Sequence, residues 1–298
     1  MHMNSETRRR RKQLERLDLK RAEYTYVKTV VKSLFNGQVA PALKIDAGGA
    51  FYRVRKNPPR KPSKLIEIRE PPWEFVTGFQ RCNSPGKPVF YASNRILTAA
   101  LETNVVDGDT VYMSQWFLTK PMRCNVAVMS ELYDEHKEID EILTSASIEL
   151  IEYFETLFTR PVHDTFSEQY KTTAAISEML TGEFSRALIS PEVDDAFLSS
   201  DGHMGLAYKS VVDRAEGENL ALHPTLVTEF CSIGNVIEAR IISRSDSDIV
   251  LEVLDFSDTV TDGVLSWSND PRSIPFLDFS NGGSINYEGM KWIAKGDA

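Results

Sequence analysis

The run Gln80-Arg81-Cys82-Asn83-Ser84-Pro85-Gly86, followed by Val89-Phe90-Tyr91-Ala92-Ser93 and then Ala99-Ala100-Leu101-Glu102, decides how this chain is read. Asn83 can hydrogen-bond its own backbone two residues on, and Pro85-Gly86 forces a turn. A strand over Pro88 to Ala92 follows that turn. Arg95 to Glu102 then reads as a short helix, with Ser93 or Asn94 as its N-cap. Phe90 and Tyr91 alternate across the strand, so one faces the core and the other does not; the pattern leaves open which.

Outward from this unit, Ala50 to Val54 is a second short strand, and Arg53 and Arg55 share one of its faces. Asn57 to Pro72 is rich in Pro and Lys and reads as an exposed loop. Thr110 to Leu118 and Arg123 to Met129 are β-like. Tyr133 to Phe158 and Phe166 to Leu180 carry apolar residues near the helical period, the second run stopping at Gly182. Gly205 to Val212 is a strand, and Val236 to Ser243 with Asp248 to Phe256 form a hairpin. The Asp-, Ser- and Gly-rich tail after Ser257 is loop-like, with Met290-Lys291-Trp292-Ile293 able to dock. Leu14, Leu17, Tyr24, Val27, Val31 and Leu34 place one apolar stripe on a single helix of about six turns, interrupted at Arg21 and ending near Asn36-Gly37. Strands on both sides of a central helical insert argue for an α+β fold rather than alternating βαβ units. Two units are expected: a basic helical extension over residues 1–40 and a main domain over residues 41–298.

Composition narrows the function classes. At 298 residues with 42% hydrophobic and 26% charged residues, the chain suits a globular domain with a sizeable core. No apolar run approaches the roughly 20 residues that span a bilayer, and no secretory signal pattern opens the chain, so a cytoplasmic protein is expected. Cys82, Cys124 and Cys231 are too far apart for a zinc motif or a disulfide framework. The five histidines show no metal-binding spacing, so no metal is expected. His163 with Asp164 can cap a helix, and His203 stands in a loop where it can line a pocket. The formal charge is −9, yet residues 1–35 carry +6 and the remainder −15. Arg8-Arg9-Arg10-Arg11-Lys12 can reach an acidic partner, but a solvated terminus is the simpler reading, and a nucleic-acid partner is not expected. Neither a Walker A motif nor GxGxxG is present, which disfavours kinase and Rossmann chemistry.

Taken alone, each polar residue in these stretches reads equally well as ordinary surface. In order, however, Phe51-Tyr52-Arg53-Val54-Arg55, the Arg81 turn, the Tyr91 strand with Glu102, and Tyr208-Lys209-Ser210 with Gly217-Glu218-Asn219-Leu220-Ala221-Leu222 resemble the RES domain, named for its Arg, Glu and Ser. The resemblance covers about residues 50 to 225. It implies an ADP-ribosyltransferase-like split β-sheet core, here with a helical insert and an added N-terminal helix. It also implies a growth-inhibiting toxin that consumes NAD, with a helix-turn-helix antitoxin as partner. NAD would then be a substrate, with no resident cofactor. Arg81, Asn83, Gly86 and Tyr91 fit the family pattern, with Cys82 in place of its usual aromatic or aliphatic residue. The family often carries Arg soon after the Ser-Val pair; here Val212 and Asp213 stand there, with Arg214 next.

Cleaving the nicotinamide–ribose bond needs cations for the pyrophosphate, an aromatic platform and an anion near an oxocarbenium-like ribosyl centre. By resemblance Arg81, Glu102 and Ser210 are the catalytic set, and Arg53, Tyr91, Asn83, Tyr208 and Asn219 bind substrate. Ser210 lacks a nucleophile elbow and is expected to donate a hydrogen bond to ribose or phosphate. The attacking group can be water or inorganic phosphate. Two alternatives stay open: mono-ADP-ribosyl transfer to a protein or nucleic acid, and a nucleotide-binding module without catalysis. The first would use the basic N-terminal helix and the loop at 57–72 to recruit an acceptor.

Overall fold

The computed structural model describes residues 5–35, 42–128, 145–182, 197–213, 217–245, 248–269 and 291–295. Its helices are α1 (Ser5–Glu15), α2 (Tyr24–Leu34), α3 (Ile96–Glu102), α4 (Ser145–Phe158), α5 (Lys171–Thr181) and α6 (Pro224–Phe230). Its strands are β1 (Ala42–Ile45), β2 (Ala50–Lys56), β3 (Phe90–Ser93), β4 (Thr110–Leu118), β5 (Met122–Val128), β6 (Gly205–Lys209), β7 (Glu218–Leu222), β8 (Cys231–Arg244), β9 (Asp248–Ser257), β10 (Thr259–Thr261), β11 (Val264–Ser266) and β12 (Lys291–Lys295). Ten strands form one sheet in the order β1-β5-β6-β7-β3-β2-β4-β8-β9-β12. Among the described residues only β5 and β6 pair in parallel; the other ladders are antiparallel.

The sheet is nearly divided in the middle. β2 pairs with β4 along its whole length, but it meets β3 at a single residue pair, Tyr52 with Ser93. The expected α+β class and split sheet are therefore both present. Helices α1, α2, α4 and α5 cover the β6–β7 half, where Val27, Val31, Leu34, Phe154, Phe158 and Ile176 share one buried cluster with Leu206 and Tyr208. Helix α3 covers the other half, packing on Val54, Met113, Ile237 and Val253. On the opposite face, α6 closes a cluster around Phe51, Phe90, Trp116 and Phe230. Among the described residues no helix is long and apolar enough to cross a membrane.

Several expectations are corrected. The N-terminal stripe is buried as expected, but two helices carry it, because Asp18 organises a turn. The amide of Ala22 bonds the Asp18 carbonyl at 2.8 Å and that of Lys20 bonds its side chain at 3.1 Å. Neither Ser93 nor Asn94 caps α3. Its N-cap is Arg95, without a side-chain cap bond, while Asn94 accepts from the Glu218 amide at 2.9 Å. The exposed loop expected over residues 57–72 holds a 3₁₀ turn, Leu65–Glu67, and is tied to its surroundings. Lys61 reaches Glu238 at 2.8 Å and Asp255 at 2.5 Å, and the Ser63–Leu65 stretch bonds the Gly263–Leu265 stretch. The tail forms the β10–β11 hairpin, and β12 docks on β9 as an edge strand. The helical run before Phe158 is described from Ser145; its expected start at Tyr133 lies outside the described residues. A 3₁₀ stretch, Asp164–Tyr170, precedes α5, and the His163 ring accepts from the Thr165 amide as the expected cap.

His203 lies away from the split. Its ring stacks on that of His223 at 3.8 Å and 7°, and its Nδ1 lies 2.8 Å from Asp201 Oδ1. A shared metal ion would have to lie in the plane of both rings, which near-parallel rings do not allow. Although partial burial opposes it, hydrogen bonds from Ser199, His203 and Thr225 hold Asp201 well below the usual carboxylate range. Burial, and then the neighbouring His203, push His223 below its ordinary value. The unfolded chain thus binds protons at these sites at higher pH than the folded one, so stability is lost as pH falls. The His223 contribution begins to disappear below about 6.5 and that of Asp201 below about 4. His223→Asn keeps an N-cap acceptor for α6 and removes the titration. Its thermal midpoint should fall less than that of the wild type between about pH 7 and about pH 5, and equal slopes would exclude His223 from the effect.

Candidate active site

The opening between β2 and β3 forms a cleft of about 300 Å³. Strand register builds its floor. Tyr52 stands opposite Ser93, Ser93 opposite Asn219, and Asn219 opposite Tyr208, giving one row across four strands. All four line the cleft, with Arg53, Arg81, Tyr91, Glu102 and Tyr170 on its walls. Phe90 is the core member of its pair, fully buried, and Tyr91 takes the cleft side.

Arg53 bridges the opening. Its Nη1 donates to the Tyr91 carbonyl on β3 at 2.8 Å, its Nε to the Ile68 carbonyl at 3.3 Å, and the guanidinium lies 5.1 Å from the Phe90 ring centre. Burial, and the like charge of Arg55, lower its pKa to about 10, partly offset by Glu70, so it stays protonated at neutral pH. Arg55 reaches the same segment through the Glu67 carbonyl. Arg81 projects from the turn over the Tyr170 ring, 5.3 Å from its centre. It donates to the carbonyls of Phe158 and Arg160, placing its charge at the C-terminal end of α4, where it is favoured.

The turn itself is locked. The Tyr91 hydroxyl donates to Asn83 Oδ1 at 2.6 Å and accepts from the Cys82 amide at 2.9 Å. Gly86 adopts a left-handed φ of 75°, which suits glycine. On the far side, Glu178 of α5 accepts from Ser84 at 2.6 Å and from Lys87, Lys28 and Tyr24 at 2.9 Å. Asn83 is 1% exposed and acts through Tyr91, whose ring, not its hydroxyl, is left to face a ligand. Cys82 is buried, and burial pushes its thiol up to about 12, far from a thiolate at neutral pH.

Glu102 ends α3 and is exposed to the cleft. Its Oε1 accepts from the Ser210 hydroxyl and from Asn219 Nδ2, each at 2.7 Å. Ser93 in turn donates to Asn219 Oδ1 at 2.7 Å. Ser210 is buried, and its oxygen accepts from the amides of Val212 at 3.3 Å and Asp213 at 3.0 Å. Its single hydrogen is therefore committed to Glu102 rather than available to ribose or phosphate. Among the described residues Glu102 Oε2 has no hydrogen-bond partner. Tyr208 is buried against Phe158, and burial holds its hydroxyl well above the ordinary value, as it does that of Tyr91.

All eight residues singled out from sequence thus gather at this opening, six on its surface and two, Asn83 and Ser210, just beneath it. Tyr52 and Ser93 were not singled out, although both lie inside the quoted stretches; their signal is cross-strand register, which sequence does not display.

The opening of the split sheet gathers a carboxylate, two arginines and several tyrosines, as an ADP-ribosyltransferase-like fold would. The RES domain family model matches residues 51–240. The chain belongs to that family, one of NAD-acting, toxin-like enzymes. No curated protein and no solved structure matches the chain.

The Tyr91 hydroxyl gives a direct test of how the turn is held. Tyr91→Phe keeps the cleft wall but leaves Asn83 Oδ1 and the Cys82 amide unpaired, which costs about 1–3 kcal/mol. Urea unfolding should show a lower midpoint with an unchanged slope. An unaltered midpoint would show that the hydroxyl does not hold the turn.

Proposed function

We propose that the chain is an NAD-degrading enzyme, acting in the cytoplasm as a growth-inhibiting toxin. The supporting observation is the Glu102 carboxylate, fixed through one oxygen by Ser210 and Asn219, with the other, beside the cleft, lacking a hydrogen-bond partner among the described residues. A carboxylate held this way is preorganised for a developing positive charge. In the reaction the ribosyl C1–nicotinamide nitrogen bond breaks, and its electron pair neutralises the pyridinium. Water or phosphate then bonds C1. Water loses a proton and yields ADP-ribose; phosphate yields ADP-ribose phosphate.

Glu102 stabilises the ribosyl cation on this reading. Arg81 and Arg53 supply charge for the pyrophosphate, and the rings of Tyr91 and Tyr208 offer the platform. Ser210 and Asn219 hold Glu102, and Asn83 holds Tyr91. NAD is consumed and no resident cofactor or metal is needed. A helix-turn-helix antitoxin that covers the cleft is the partner the family suggests.

Transfer to a macromolecule finds less support. The cations that could recruit an acceptor are largely paired at home: Arg9 and Arg10 with Glu6, Arg11 with Glu15, Arg60 with Glu67.

The test is incubation of the purified protein with NAD, with and without phosphate, followed by chromatography. Nicotinamide should appear in step with NAD loss, matched by free ADP-ribose or its phosphate. Label retained on macromolecules would favour transfer instead. Glu102→Gln should lower kcat by about 10²–10³-fold, and Arg81→Ala should raise KM. NAD that survives prolonged incubation would overturn the proposal and leave a binding module.

A further inference from the structure

Thr98 and Glu102, four residues apart, share one face of α3, and Arg95 is the N-cap just before that helix. That face lies against the turn after β6. Glu102 meets Ser210 at 2.7 Å. One helical turn earlier, the Thr98 hydroxyl donates to Asp213 Oδ2, and Arg95 Nη1 lies 3.8 Å from the same oxygen. Thr98 is fully buried, and Asp213 is 9% exposed. Neither lines the cleft.

The two meetings are linked through the backbone. The Asp213 amide donates to the Ser210 oxygen at 3.0 Å, and the Ser210 amide donates to the Gly217 carbonyl at 2.7 Å. With amides on its oxygen, the Ser210 hydroxyl has one direction left for its hydrogen, toward Glu102. Shifting Asp213 would move an amide that sets that direction. The fit is close on the far side as well: a Cβ on Gly217 would lie 2.7 Å from Asp213 Cβ. The short α3 cannot slide to compensate, because Ala99, Ala100 and Leu101 are buried beside Thr98.

We propose that Thr98 and Asp213 form a positioning latch for Glu102. The latch ties the Ser210 turn to the helix that carries the carboxylate, so that both ends of the Ser210–Glu102 bond are set by one rigid unit. Asp213 stands where the family often has an arginine; here its carboxylate is turned inward, to Thr98, and serves geometry rather than substrate charge. The proposal rests on the NAD-cleaving reading, since it concerns how that reaction's carboxylate is held.

The experiment compares steady-state NAD consumption by wild type, Thr98→Val and Thr98→Ser. Valine matches the threonine volume and lacks the donor; serine restores the hydroxyl. Misplacing a reacting group from a distance costs up to about 10²-fold in rate. Thr98→Val should lose about 10- to 100-fold in kcat with KM within about twofold, because the cleft wall is untouched. Thr98→Ser should recover most of kcat. A wild-type kcat in Thr98→Val, a loss expressed in KM, or a failure of serine to rescue would overturn the latch while leaving the NAD reading standing. A wild-type protein that leaves NAD intact overturns both. Should Thr98→Val not fold, Asp213→Ala carries the same expectation, and an unchanged kcat there overturns the latch.

Discussion

A sheet opened in its middle leaves backbone donors and acceptors facing each other without partners, and burying them unpaired is costly. β2 and β3 are neighbours in strand order yet share one residue pair. Beyond that pair, side chains of β2 reach backbone carbonyls on β3 and on the segment after β2. Arg53 carries a guanidinium from β2 to the Tyr91 carbonyl of β3, and Arg55 fastens β2 to the Glu67 carbonyl. Arginine suits this work because its planar fork donates in several directions without losing its charge. The same group that keeps the sheet open is therefore a cation on the wall of the opening. Structure and site are here one arrangement.

The floor follows the same economy. Ser93, Asn219 and Tyr208 sit opposite one another by register, so their side chains meet without any loop having to place them. Ser93 donates to the Asn219 carbonyl oxygen, which orients the Asn219 amide nitrogen toward Glu102. Ser210 approaches Glu102 from a turn rather than a strand, and there two backbone amides do the directing. Two independent routes thus converge on one carboxylate oxygen. The two routes act together on Oε1, whereas among the described residues the second oxygen of Glu102 has no hydrogen-bond partner.

How far the sequence could be read follows from the range of the interactions. Turn, strand and helix from Arg81 to Glu102 were legible because Asn, Pro and Gly punctuate and the apolar pattern is short-range. The helical stripe from Leu14 to Leu34 was legible as burial but not as two helices, since Asp18 breaks it with a local bond that periodicity does not register. Ser93 looked like an N-cap because serine before a helix usually is one. Its actual partner is 126 residues away. Residues 57–72 read as an exposed loop because Lys and Pro favour solvent, but not as a tied one: Lys61 answers Glu238 and Asp255, and acceptors so far along the chain are invisible to composition. The candidate site residues themselves were legible only as an ordered set; one at a time, each was an ordinary polar residue.

The segments outside the matched stretch bear on the cleft as well. α1 and α2 precede it, and their Leu14, Val27, Val31 and Leu34 belong to the cluster that buries Leu206 and Tyr208 behind the floor. Lys28 and Tyr24 of α2 also reach Glu178, the residue that grips Ser84 and Lys87 of the Arg81 turn. On the other half, β9 follows the match and extends the sheet that backs β2 and β4. Each half of the split sheet is thus stiffened by material of its own. Stiff halves joined by one residue pair and a few side chains concentrate any change of aperture at Tyr52, Arg53 and Ser93. Arg53, whose charge faces the opening, is thus also one of the groups that join the two halves across it.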